Sequence, residues 1–112
     1  MSQRTTIADA IRNRIITGGL KEGTQVWGRA TAQQHSVGFK TALAAFDILA
    51  GEGLLDNWIG VGYIVAAGAR ERAEKQGMGT LMALVKEAVA RAKTLELEQA
   101  KVITMVRNAY KK

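Results

Sequence analysis

The side chains that could do chemistry are few and widely spaced along the 112-residue chain. His35 is the only histidine, cysteine is absent, and the carboxylates Asp9, Asp47 and Asp56 are scattered. The sequence has no Ser-His-Asp order and no phosphate loop, and the glycine-rich run at 60–62 lacks the strand-to-helix context of a dinucleotide site. A metal site would need clustered ligands. The sequence therefore predicts no enzyme, no metal site and no cofactor.

The composition predicts a small soluble protein with a basic surplus. Lys and Arg number 16 against 10 Asp and Glu, which gives a formal net charge of +6 and favours a polyanionic partner. The surplus is uneven, because residues 1–66 carry six basic and five acidic side chains and residues 67–112 carry ten and five. A solubilising surface would explain it equally well. The chain has neither a long apolar run nor the apolar core of a signal peptide, so we expect a cytoplasmic protein without a membrane span.

Residues 1–67 have the pattern of a winged helix-turn-helix. Isoleucines at positions 7, 11 and 15 predict a first helix that is capped by Thr5 or Thr6 and ended by Gly18. A short strand is predicted at Val26, a second helix over 29–35, a turn at 36–38 and a third helix over 39–50. Segments 54–56 and 63–65 predict a two-stranded β-wing whose glycine-rich tip spans 57–62.

Residues 68–112 predict two helices, one that runs to Lys93 and one that begins at Thr94. Both carry an apolar stripe that a chain of this size cannot bury alone. We therefore expect an antiparallel helical hairpin that pairs with a second copy to form a homodimer. The predicted interface residues are Met78, Leu81, Met82, Val85, Val89, Leu97, Ile103 and Val106.

The expected fold class is α+β and mostly α. A winged helix-turn-helix head of three helices plus a two-stranded β-wing, residues 1–67, forms a DNA-binding domain. It is followed by a C-terminal two-helix dimerisation hairpin, residues 68–112.

The order and spacing of these motifs resemble the winged helix-turn-helix domain of the GntR family of bacterial transcription regulators. The matching motifs are a Leu-x-x-Gly connector, the turn with the third helix and its Glu-Gly-Leu-Leu end, and a Gly-x-Gly-x-x-Val wing. The short tail resembles the YtrA-type branch, whose second part is two dimerisation helices. The matching positions are Leu20, Gly23, Val37, Thr41, Ala45, Leu49, Glu52, Gly53, Leu54, Leu55, Gly60, Gly62 and Val65.

The resemblance implies that the third helix enters the major groove of duplex DNA and that the wing lies along the minor groove. The family's serine and arginine after the turn's valine are Gly38 and Phe39 here, and its wing arginine is Val61. The DNA-binding residues implied in this chain are Arg29, Gly38, Phe39, Lys40, Thr41, Leu43, Ala44, Gly60, Val61 and Gly62.

These implied DNA contacts are of two chemical kinds. Arg29, Lys40 and Thr41 have the donor groups that contact phosphates and base edges. Leu43 and Ala44 offer only apolar contacts, for example to a thymine methyl.

We expect a sequence-specific transcription regulator that represses as a homodimer; whether a small-molecule effector binds stays open. Two alternatives remain. A winged helix without DNA recognition could serve as a protein-interaction or assembly module, which the small net charge of the head favours. A non-specific architectural DNA-binding protein could instead use the basic tail.

Overall fold

A computed structural model describes residues 2–111 and confirms the predicted fold class. The chain forms two compact units, one up to Gln76 and one from Gly77 onward, and the boundary lies within the fourth helix. The predicted division after residue 67, which separates DNA binding from dimerisation, stays a prediction. In the described part of the chain, no helix is both long and apolar enough to cross a membrane. The elements are α1 (Gln3–Thr17), β1 (Gln25–Val26), α2 (Gly28–Gln34), α3 (Phe39–Gly51), β2 (Leu55–Trp58), β3 (Gly62–Val65), α4 (Ala69–Thr94) and α5 (Gln99–Tyr110).

Helix α1 begins earlier than predicted, because Ser2 and neither Thr5 nor Thr6 is its N-cap. The Ser2 hydroxyl accepts a hydrogen bond from the Thr5 backbone N–H at 3.2 Å, which is the usual capping geometry of serine. Gly18 ends the helix in the left-handed conformation, with φ of +88°, as predicted. The earlier start places Arg4 in the first turn of α1.

The core of the first unit joins α1, α3, the sheet and the first turns of α4. Phe46 and Leu49 of α3 are fully buried, as predicted from their helical spacing. They pack in one cluster with Ile7, Ile11 and Ile15 of α1. The other buried members of this cluster are Ala8, Leu20, Ala45, Leu54, Leu55, Val65, Ala66, Ala69 and Ala73.

The sheet has three strands, which are the two predicted strands of the wing and the short strand predicted at Val26. All pairs are antiparallel in the order β1-β3-β2, with Gln25 opposite Ile64 and Leu55 opposite Val65. The third strand, β1, is only two residues long and shows no alternating pattern in the sequence. It ties the connector after α1 to the wing.

Three further helices also end with a residue in the left-handed conformation, and the backbone N–H of the next residue then donates to a carbonyl of the last helical turn. At the end of α3 this residue is Gly53, whose φ is +77°. Ser36 after α2 and Glu96 after α4 take the same role with φ of +54° and +58°. Because Glu96 is not a glycine, the sequence does not reveal this stop, and α5 begins at Gln99 instead of the predicted Thr94.

Replacing Ser36 with glycine should stabilise the first unit. A left-handed conformation costs a non-glycine residue free energy that glycine does not lose, so Ser36→Gly should raise the free energy of unfolding by about 1 kcal/mol. Urea denaturation measures this change. The opposite substitution, Gly53→Ala, should destabilise, since its added Cβ would also lie 3.1 Å from Arg72 Cδ. A Ser36→Gly variant that is less stable than the parent would contradict the argument.

Candidate nucleic-acid interface

Helix α3 presents a buried face to the core and an exposed face to solvent. Ala42, Ala45, Phe46 and Leu49 form the buried face. Lys40 is exposed, Phe39 is 47% exposed, and Thr41, Leu43 and Ala44 are half-buried. The predicted recognition residues of α3 therefore reach the protein surface together. Gly38 precedes the helix in an extended conformation, and no side chain caps the first turn.

Phe39 and Leu43 of α3 pack against the first residue of α2. A Cβ atom built on Gly28 would lie 2.6 Å from Phe39 Cε1 and 3.2 Å from Leu43 Cδ2, so a larger residue there would displace the Phe39 ring. The Arg29 guanidinium lies over the Phe39 ring, 5.9 Å from its centroid, as a cation–π contact. The structure thus brings Arg29, Phe39 and Leu43 together, and Phe39 both packs under α2 and keeps an exposed edge.

A second cluster lies between the N-terminal turns of α1 and α3. The two turns enclose an open cleft of about 330 Å³ that is lined by Ser2, Gln3, Arg4, Lys40, Thr41 and Ala44. Both helix N-termini carry partial positive charge, and Arg4 and Lys40 add full charges. The cleft is therefore suited to an anion. Arg4 is not among the predicted site residues, because the predicted start of α1 lies after it; the capping preference of Ser2 is the sequence signal that indicates the earlier start.

The outer side of α3 is tied to the wing through Asp47. The Tyr63 hydroxyl on β3 donates a hydrogen bond to Asp47 Oδ1, and the Tyr63 ring lies 5.2 Å from the buried Phe46 ring. This hydrogen bond, together with burial, raises the pKa of Tyr63 above its ordinary value, because both favour the neutral phenol. The wing and the recognition helix are therefore held in one arrangement.

The C-terminal end of α3 is held by polar contacts from both sides. Arg12 of α1 forms a two-pronged ion pair with Glu52, with nitrogen–oxygen distances of 2.8 and 2.9 Å, and also contacts Asp9. Burial of Arg12 acts to lower its pKa, but the bonds to Glu52 and Asp9 outweigh this effect and raise the pKa. From α4, Arg72 donates to the Gly53 carbonyl and Gln76 donates to the Glu52 carbonyl. Arg12 is thus engaged within the protein.

The wing carries no positive charge, since no lysine or arginine lies between residues 54 and 66. Its tip is a type II turn in which the Val61 N–H donates to the Trp58 carbonyl at 3.0 Å and Gly60 has φ of +80°. Ile59 is fully exposed, and the Val61 carbonyl accepts a hydrogen bond from Gln25 on β1. The predicted site residues Gly60, Val61 and Gly62 lie in and beside this turn. They could approach a surface through their backbone rather than through charge.

The second unit exposes nearly all of its apolar side chains. The predicted interface residues of α4 and α5 at positions 78, 81, 82, 85, 89, 103 and 106 are 40–63% exposed, and Leu97 is half-buried. Ala92 is the one buried residue among the described residues from Gly77 onward. An apolar groove of about 410 Å³ lies between α4 and α5 beside their turn, lined mainly by Val89, Leu97, Val102 and Ile103. The described residues of this unit therefore form no hydrophobic core by themselves.

Solved structures with a similar fold are transcription regulators. A GntR family transcriptional regulator from Listeria monocytogenes matches with a TM-score of 0.80 at 19% identity, over 96% of this chain and 95% of that chain. S. agalactiae BusR, in complex with its busAB promoter DNA, matches with 0.61 at 22%, over 98% and 56%. YtrA from Sulfolobus acidocaldarius, a GntR-family transcription factor, matches with 0.55 at 20%, over 99% and 90%. No protein-family model and no curated protein matches the sequence.

The chain has the fold of the GntR-family regulators. The match covers the tail as well as the head, so it confirms, at the level of the fold, the resemblance to this family and to its short-tailed YtrA branch. The Listeria protein and YtrA, which share this fold, are transcription regulators.

The hydrogen bond between Tyr63 and Asp47 should make stability depend on pH in the alkaline range. The folded-state pKa of Tyr63 is raised above 10.0, so the contribution is complete below that value and is lost as the pH rises through the folded-state pKa. Between about pH 8 and about pH 11, the free energy of unfolding should fall less in Tyr63→Phe than in the parent.

Urea denaturation at both pH values tests this expectation. Tyr110→Phe is the matched control, since it removes an exposed phenol from α5 and should leave the parent's pH dependence unchanged. Equal pH dependence in the parent and in Tyr63→Phe would show that the bond contributes nothing.

Proposed function

We propose that this protein is a homodimeric transcription regulator that binds duplex DNA through α3. The observation that carries the proposal is the exposed N-terminal half of α3, which presents Phe39, Lys40 and Leu43 beside the cations Arg4 and Arg29. The fold adds support, because BusR, which shares it, binds promoter DNA. Such a protein acts where the DNA is, in the cytoplasm.

The phosphate backbone is the partner that best fits the cleft between α1 and α3. Backbone N–H groups at helix N-termini and basic side chains are the usual phosphate ligands in protein–DNA complexes. Arg4 and Lys40 would contact the strand that borders the major groove, with the Thr41 hydroxyl as a further donor. These contacts would set the position of α3 on the duplex.

The wing would act by shape rather than by charge. In the absence of lysine and arginine, Gly60 and Gly62 let its backbone approach the sugar–phosphate edge of the minor groove closely. The hydrogen bond from Tyr63 to Asp47 would keep this turn at a fixed distance from α3.

The second unit would join two heads. Soluble proteins usually cover exposed apolar side chains such as those on α4 and α5 with another chain. A second copy of the same chain would cover the apolar stripes of both helices at once. Two linked heads would bind two half-sites whose spacing mirrors the dimer. Bound over a promoter, the dimer would repress by excluding the polymerase.

Removing one cation from the α3 surface should reduce the salt dependence of DNA binding. We expect Lys40→Ala, Arg29→Ala and Arg4→Ala each to lower the slope of log affinity against log salt by about one unit, because each deletes one phosphate contact. Fluorescence anisotropy on DNA from upstream of the gene, with a scrambled duplex for comparison, measures the slope.

A basic residue of the tail provides the control for that experiment. Lys101→Ala on α5 should leave the slope unchanged. If it lowers the slope more than the α3 variants do, the protein is the architectural DNA-binding protein that uses its tail. If the folded protein binds neither duplex, it is the interaction module, for which the exposed Trp27 and Phe39 would supply the contact surface.

Charge placed in the apolar stripes of the second unit should prevent dimerisation. In Val85→Glu and Ile103→Glu, an unpaired carboxylate would be buried at the interface, which costs more than the contact contributes. Sedimentation equilibrium should show a dimer for the parent and a monomer for both variants. Lys86→Glu, an exposed neighbour on α4, is the control and should stay dimeric. A monomeric parent would refute the homodimer.

A further inference from the structure

The surface of α3 that would face DNA is mostly apolar. Phe39 and Leu43 are one helical turn apart on α3 and form a continuous aromatic and aliphatic surface, with Ala44 beside it. Lys40 and Thr41 are the only side chains in the first six residues of α3 that can donate a hydrogen bond. Base recognition at this surface therefore cannot depend mainly on hydrogen bonds.

Phe39 is held in position on two sides. The missing side chain of Gly28 makes room for one edge of the ring and for Leu43, and the Arg29 guanidinium covers the ring from α2. Gly28 does not have a positive φ, so the close approach of Phe39, and not the backbone conformation, explains the glycine. The ring is thus fixed with its remaining edge exposed, which favours one defined contact.

The charges around this apolar surface point to duplex DNA as its partner. From Val26 to Phe46 the chain has two cations, Arg29 and Lys40, and no acidic residue. Arg4 adds a third cation from α1. An apolar centre with a basic rim fits a target that is apolar in the middle and anionic at both edges. The major groove over a thymine has this character, because the C5-methyl group lies between two phosphate strands.

We propose that Phe39 and Leu43 select thymine through its C5-methyl group, with Gly28 and Arg29 as the residues that position Phe39. This inference rests on the proposed DNA-binding function and specifies its base preference. Only thymine and 5-methylcytosine carry a methyl group at this place in the groove, so an apolar surface distinguishes them from cytosine without any hydrogen bond. The half-site should therefore have thymine at one or two positions opposite α3.

The test removes single methyl groups from the DNA. The parent protein first selects binding sites from a randomised duplex library, and each thymine of the selected half-site is then replaced by uracil, which differs from thymine only in lacking the methyl. We expect one or two of these replacements to weaken binding about fourfold each, as for the burial of one methyl group. At the same positions, a 5-methylcytosine·guanine pair should bind more tightly than a cytosine·guanine pair.

Protein variants connect the effect to the named residues. Phe39→Ala and Leu43→Ala should still bind the selected duplex through phosphate contacts but should bind the thymine and uracil duplexes equally. Gly28→Ala keeps both apolar side chains and displaces the Phe39 ring, so it should also lose the uracil effect. Gly51→Ala at the end of α3, where an added Cβ meets nothing within 4 Å, is the glycine-to-alanine control and should keep the uracil effect. Circular dichroism and thermal melting check that each variant folds.

Each result decides the proposal. A site without thymine opposite α3, or a uracil effect that persists unchanged in Phe39→Ala and Leu43→Ala, would overturn it while leaving DNA binding intact. Loss of the uracil effect in Leu43→Ala and Phe39→Ala but not in Gly28→Ala would overturn the positioning role of Gly28. A folded parent that binds no duplex at all would overturn both this proposal and the proposed function.

Discussion

Phe46 and Leu49 lie fully buried among α1, the sheet and the start of α4, and this burial fixes the rotation of α3 about its own axis. Ala42 and Ala45, which are also fully buried, let α3 come close to the neighbouring helices because their side chains are small. Once these four positions face inward, the helical period places Lys40 and Ala44 on the outer side, while Phe39 and Leu43 lie at the edge of the buried face beside Gly28 of α2. Every proposed DNA contact of α3 follows from that one packing arrangement.

The two ends of α3 are fixed by different forces. At its C-terminal end, the ion pair of Arg12 with Glu52 and the bonds from Arg72 and Gln76 join α1, α3 and α4 in one polar network. At its N-terminal end, the contact of Phe39 with Gly28 holds α3 against α2. A half-buried ion pair is costly if one partner is lost, so the Arg12–Glu52 pair favours this one orientation of α3 over others. The apolar contact adds close packing at the end where DNA would bind.

The sequence predicted those parts of the fold in which one signal dominates. Isoleucines at helical spacing located α1, and the Glu-Gly-Leu-Leu run located the end of α3. The sequence failed where no residue type marks a boundary. Helix α4 continues through Thr94 until Glu96 adopts a conformation that its residue type disfavours. In the candidate site, Lys40 and Phe39 could be chosen from the turn motif, and Arg4 could have been placed from the capping preference of Ser2. The role of Gly28 could not be predicted, because it depends on the tertiary contact with Phe39.

The charge of the head implies that DNA affinity would depend on the second unit. Of the six basic side chains in residues 1–66, Arg12 is neutralised by Glu52, and the wing contributes none. A head with so few free cations would release few counterions and bind duplex DNA weakly by itself. Two linked heads bind with a high effective concentration of the second head once the first is bound, and this compensates for the weak individual contacts. On this argument the apolar stripes of α4 and α5 contribute to DNA affinity as directly as Lys40 does, although they would touch no DNA.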